Sequence, residues 1–110
     1  MKKIMKELIS SEGVIYCLVV DREGEIIDFL GKEEIDKTLV SALVAEVVSE
    51  IKKQINISED FSITAMGEKG IIFFTARKDF ILALLAGQEV DTGEIRLKLQ
   101  QGARLISEML

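Results

Sequence analysis

The stretch from Gly13 to Leu30, GVIYCLVVDREGEIIDFL, narrows what this chain can become more than any other. Val14 to Val20 is apolar without interruption and rich in β-branched residues, the composition of a strand covered on both faces. Asp21-Arg22-Glu23-Gly24 then places Asp at the first and Gly at the last position of a four-residue turn, which joins that strand to Glu25–Leu30 as a hairpin. A strand buried on both sides must lie inside a sheet, with other elements packed above and below it.

The flanking patterns supply those elements. Lys2 to Ser11 puts Ile4, Met5, Leu8 and Ile9 along one side of a short helix, with Gly13 where a helix C-cap residue is expected. Glu33 to Ile55 is the main helix. Its Leu39, Val40, Leu43, Val44, Val47, Val48, Ile51 and Ile55 spread over roughly half the circumference, wider than the ~100° stripe that one core contact uses. Phe61 to Met66 alternates, with Phe61, Ile63 and Ala65 on one face and Ser62, Thr64 and Met66 on the other, so it reads as a less buried edge strand. Gly67-Glu68-Lys69-Gly70 turns into Ile71–Ala76, and Arg77-Lys78-Asp79 turns into Phe80–Ala86, two strands apolar on both faces. Asp91, with Glu94 three residues on, opens a last helix in which Ile95, Leu99, Ala103, Ile106 and Leu110 keep helical spacing. The order α-β-β-α-β-β-β-α predicts an α+β fold, a five-stranded antiparallel sheet with helices on both faces.

At 110 residues, with no Pro and no Ser- or Gly-rich run to serve as a linker, the chain predicts a single domain spanning 1–110. Net charge −5 argues against nucleic acid, whose phosphates demand clustered Lys and Arg. The acidity is local: residues 21–60 hold eleven Asp or Glu against five Lys or Arg, so a partner meeting the middle of the chain is expected to be basic. MKKIMKELISSEG has no apolar core or cleavage site of a signal peptide, and no apolar run reaches the ~20 residues of a membrane span, which together predict a cytoplasmic protein. Abundant Ile, Lys and Glu without Pro, His or Trp fit a heat-adapted prokaryote.

The residues that could carry chemistry are few. His is absent, which removes the commonest general base and the commonest metal ligand, so no catalytic, metal or cofactor residues are expected. Glu33-Glu34 and Glu59-Asp60 read as solvated helix-end acids, since neighbouring helix residues do not face each other. Gly67-Glu68-Lys69-Gly70 lies between strands and has no following helix N-terminus to hold phosphate. Arg22 and Arg77, candidates for reaching a nucleotide on a partner, sit in turns, and Cys17 lies in an apolar strand where packing is its expected role.

The full pattern resembles the roadblock/dynein light chain family, which includes the MglB-type regulators. The pieces that carry the likeness are Gly13-Val14, Val19-Val20-Asp21-Arg22-Glu23-Gly24-Glu25-Ile26-Ile27, the Ala- and Val-rich middle helix, Phe80-Ile81-Leu82-Ala83-Leu84, and Thr92-Gly93-Glu94-Ile95-Arg96. The resemblance, which covers essentially the whole chain, implies a profilin-like sheet of order 2-1-5-4-3, with the first and last helices on one face and the middle helix on the other. It implies pairing of two copies through the third strand and the middle helices, and a small Ras-like GTPase as partner, with MglB-type members reshaping the GTPase instead of donating catalytic groups.

The residues point to the same self-association. With Val40, Val44, Val48, Ile51 and Ile55 on the sheet, Leu39, Leu43 and Val47 are left toward the other margin of the helix, an apolar patch that a second copy would cover. The expected homodimer interface is therefore Leu39, Leu43 and Val47 with Phe61, Ser62, Ile63, Thr64 and Ala65 of the edge strand, typically ~1,200–2,000 Å² in total. The expected function is a non-enzymatic homodimer that binds or regulates a small Ras-like GTPase. The alternatives are a small-ligand sensor, for which only Tyr16, Cys17 and Thr75 offer polar groups on the inner strands, and a structural scaffold without a GTPase.

Overall fold

In the computed structural model, which describes residues 1–56 and 60–110, the chain runs α1 (Lys2–Ile9), β1 (Val14–Val20), β2 (Ile26–Gly31), α2 (Lys37–Ile55), β3 (Phe61–Met66), β4 (Ile71–Ala76), β5 (Ile81–Ala86) and α3 (Thr92–Ser107). The strands form one antiparallel sheet in the order β2-β1-β5-β4-β3. This is the expected α+β architecture, with the strand order that the resemblance implies.

Local chemistry explains the joints. Asp21 Oδ1 accepts from both Glu23 N and Glu25 N at 2.9 Å, and Gly24 N donates to Asp21 O, closing the β1–β2 turn with the residues expected. The β3–β4 hairpin closes through Gly67 N donating to Gly70 O at 2.8 Å, and the β4–β5 turn through Arg77 N donating to Phe80 O. Asp91 Oδ1 accepts from Glu94 N at 3.0 Å and caps α3.

Two cores flank the sheet. On one face α1 and α3 bury Met5, Leu8, Leu99 and Ile106 against Cys17, Val19, Phe73, Leu82 and Leu84. On the other face α2, the one helix there among the described residues, sets Val44, Ala45 and Val48 on Leu18, Val20, Phe74, Ile81 and Ala83. A helix with its side chains is ~10–12 Å across, whereas five strands at ~4.8 Å spacing span ~20 Å or more, so a pair of helices covers its face and a single helix does not.

Several boundaries differ from expectation. The first helix stops at Ile9 with Ser10 as its C-cap, where Ser10 Oγ donates to Glu7 O at 2.6 Å. Gly13 instead serves the entry to β1, at φ +89, where a side chain would also strike Val90. The middle helix begins at Lys37 and not at Glu33, because Asp36 supplies the cap, its Oδ1 accepting from Leu39 N at 3.1 Å. Ile55 and Leu110 are exposed, the first at the last turn of α2 and the second beyond the end of α3.

Candidate functional site

The face of α2 that meets the sheet is made of Ser41, Val44, Ala45 and Val48. Gly24 packs against Ala42 and Ala45, so the 41–42–45 side of the helix looks toward the β1–β2 turn. On the flank away from that turn stand Leu39, Leu43 and Val47, exposed to 55, 51 and 41%. These are the three helix residues expected to be left over, and no described element covers them. Val40 and Ile51 are half-buried at the margin between the two stripes. Glu46 and Glu50 are also exposed, and they stand seven residues after Leu39 and Leu43 respectively, so the same side of the helix carries apolar residues and carboxylates in succession.

At the edge of the sheet, β3 pairs, among the described residues, only with β4. Because Gly67 N points at Gly70 O, the alternation of the strand turns the backbone groups of Ser62, Thr64 and Met66 toward the free edge. Phe61 and Ile63 pack half-buried on the α2 side. On the opposite side the strand is polar and braced: Ser62 Oγ donates to Thr75 Oγ1 at 3.0 Å, and Arg96 Nε donates to Thr64 Oγ1 at 3.1 Å.

Sequence reasoning missed the floor beside this edge. Ile72 and Leu85, expected under cover, are half-buried, and with Ile15 and Ala65 they line an open groove of about 440 Å³ running to the Gly67–Gly70 turn. The available signal was the helix count, one on this face against two on the other. The structure thus places a bare helix flank, a sheet floor and a free strand edge on one side of the molecule.

The remaining candidates are quiet. Arg22 Nη1 donates to Arg77 O at 2.5 Å, and Arg77 Nη1 lies 3.5 Å from Asp60 Oδ2, so the guanidinium of Arg22 ties its turn to the β4–β5 turn while that of Arg77 is held at Asp60. Among the described residues Arg77 Nε is the one buried side-chain polar atom without a hydrogen bond. Cys17 is fully buried, and that burial, reinforced by the charge of Asp28, pushes its thiol up to about 12 against the smaller pull of the Leu18 backbone and Lys2. Glu33 and Glu34 precede α2 in exposed chain, and Glu59 lies outside the described residues. Thr75, one of three polar groups considered for a ligand pocket, spends its hydroxyl on Ser62 and on Phe61 O. Among the described residues no group of three His, Cys, Asp or Glu is placed to hold a metal, and no helix is long and apolar enough to cross a membrane.

No protein-family model matches the sequence, and no curated protein does. The solved structures answer differently. The chain is similar to MglB of Myxococcus xanthus at 20% identity and TM-score 0.85, over 99% of this chain and 95% of that one. A roadblock/LC7 domain from Streptomyces avermitilis aligns at 13% identity and TM-score 0.84, over 99% and 96%. An MglB solved with a tetrameric arrangement aligns at 15% identity and TM-score 0.83, over 97% and 85%. The fold is the roadblock/MglB-like fold.

Proposed function

We propose that this chain, which carries the fold of MglB and of roadblock domains, is a non-enzymatic dimeric interaction module, one domain over residues 1–110, that binds or regulates a small Ras-like GTPase in the cytoplasm of a prokaryote. One observation carries the reading: Leu39, Leu43 and Val47 stand exposed on a helix that shares its sheet face with an incompletely covered floor running to the free β3 edge. An apolar surface of that extent in a chain of this size calls for a partner.

Two copies meeting through β3 and the α2 flanks would satisfy all three features at once. The β3 backbone groups would gain a ladder, and the second helix missing from this face would be supplied by the other copy. An MglB solved as a tetramer supports self-association for a chain of this shape. The paired helices carry the exposed Glu46 and Glu50 along with the apolar stripe, which suits a GTPase that presents a basic contact surface. With no His and with Arg22 and Arg77 held in turns, regulation would act by reshaping the GTPase and not by lending it a catalytic group.

The test is capture from lysate of the source cells with the purified protein, in parallel with a slowly hydrolysed GTP analogue and with GDP, read by mass spectrometry. Enrichment of a Ras-like GTPase in one nucleotide state is the expected result. Failure to recover one in either state would overturn the GTPase reading and leave a scaffold.

A further inference from the structure

A sheet has two edges, and the β2 edge is treated differently from the β3 edge. Lys32 N donates to Ile15 O at 2.9 Å, and strand alternation from that point turns the N–H and C=O of Phe29 away from β1 toward the free edge. Side chains occupy both groups. Phe29 N donates to Asp28 Oδ1 at 2.8 Å, and Phe29 O accepts from Lys2 Nζ at 2.6 Å. Lys2 Nζ also lies 2.8 Å from Asp28 Oδ1 and 5.5 Å from the centroid of the Phe29 ring, so α1 is strapped across the edge at its first residue. Partial burial pushes the Asp28 carboxyl up, but the hydrogen bond from Lys2, that from Phe29 N and the Lys2 charge together hold it below its usual value.

The strap lies over an edge that would otherwise be adhesive. Ile27 and Phe29 are each about 40% exposed on β2, and apolar side chains beside unpaired backbone are what a second strand pairs with. Among the described residues no comparable strap crosses Ser62 and Thr64 on β3, whose hydroxyls turn inward to Thr75 and Arg96.

We propose that Lys2, anchored by Asp28, is an edge guard that keeps β2 from pairing antiparallel with β2 of a second copy of this chain. Two identical antiparallel strands are self-complementary about a two-fold axis, so the second copy needs no adaptation to fit. The guard itself does not depend on the dimer reading above; only the size of the product does. A chain already paired through β3 and stripped of the guard has two adhesive outer edges per dimer and grows into an open-ended ribbon. A chain not paired through β3 stops at a discrete pair.

Lys2→Gln and Asp28→Ala, each checked for an intact fold by circular dichroism, test this by light scattering across a concentration series. The expected result is a mass roughly twofold or more above wild type that rises with concentration, with ribbons in electron micrographs. Adding Ile27→Lys, which sets a charge on the exposed strand, should return the mass to the wild-type value. A doubling that does not grow further would keep the guard and remove β3 pairing. Unchanged mass in both folded variants would overturn the guard, as would a mass increase that Ile27→Lys leaves in place.

Discussion

Tyr16 and Gly31 show how one residue type can be fixed by its neighbour across a strand pair. They are register partners, and the Tyr16 ring lies over the bare Gly31 backbone and stacks on Phe29 at 6.2 Å with the planes 4° apart. A Cβ at Gly31 would stand 2.1 Å from the ring, which is itself buried and cannot swing away. Gly31→Ala should therefore cost ~1–3 kcal/mol in urea unfolding, and the cost should largely vanish in a Tyr16→Ala background. Cys17 gives a second residue-scale expectation. Above about 9 the unfolded chain loses the thiol proton that the folded chain keeps to about 12, so the unfolded state binds fewer protons and stability falls as pH rises through that window. Cys17→Ala should flatten the decline in urea midpoint between those values, and a slope equal to wild type would place the alkaline loss elsewhere.

At the scale of elements, caps decide where helices begin. Asp36→Ala removes the acceptor for Leu39 N and should cost ~1 kcal/mol, a fall of about 4–8 °C in Tm by calorimetry. This is also where reading the sequence went furthest and where it stopped. β1, β3 and β4 were legible to the residue, because unbroken apolar runs, clean alternation and Gly-bounded turns are local signals. The start of α2 was not, since Glu33 and Glu34 favour a helix N-terminus as well as Asp36 does, and only the capping geometry separates them. The exposure of Ile72 and Leu85 was hidden for another reason: a strand's own residues do not record how many helices lie above it. Leu39, Leu43 and Val47 were legible because the width of a helix's apolar face is local. On β3, the Thr64 amide points to the free edge and contributes nothing to the pairing with β4. Thr64→Pro, and equally Ser62→Pro, should leave the fold standing while weakening dimerisation measured by sedimentation, and an unaltered dimer affinity would remove β3 from the interface.

On the scale of the whole molecule, the uneven covering of the sheet is the property from which the rest follows. Two helices close one face and build the larger core, while α2, with small Ser41 and Ala45 at its contact, closes only part of the other. The uncovered part reaches the end of β3 on the same face of the sheet as α2, and one guarded and one open edge give the sheet a direction in which to grow. A homodimer through the open side leaves the guarded β2 edges outermost and presents two α2 helices side by side as one platform. Leu43 lies at the middle of the flank and is half exposed in the single chain, and the proposed pairing would enclose it. Leu43→Asp costs the single chain little, because an exposed charge on a helix surface stays hydrated, but in the pair it sets two unpaired carboxylates into a buried seam. Light scattering should therefore report a monomer with unchanged helical signal, and the same variant should lose nucleotide-dependent capture of the GTPase if the platform is formed only by the pair. A Leu43→Asp chain that keeps the wild-type mass would take α2 out of the seam, and one that becomes monomeric yet still captures the GTPase would place the docking surface on a single copy.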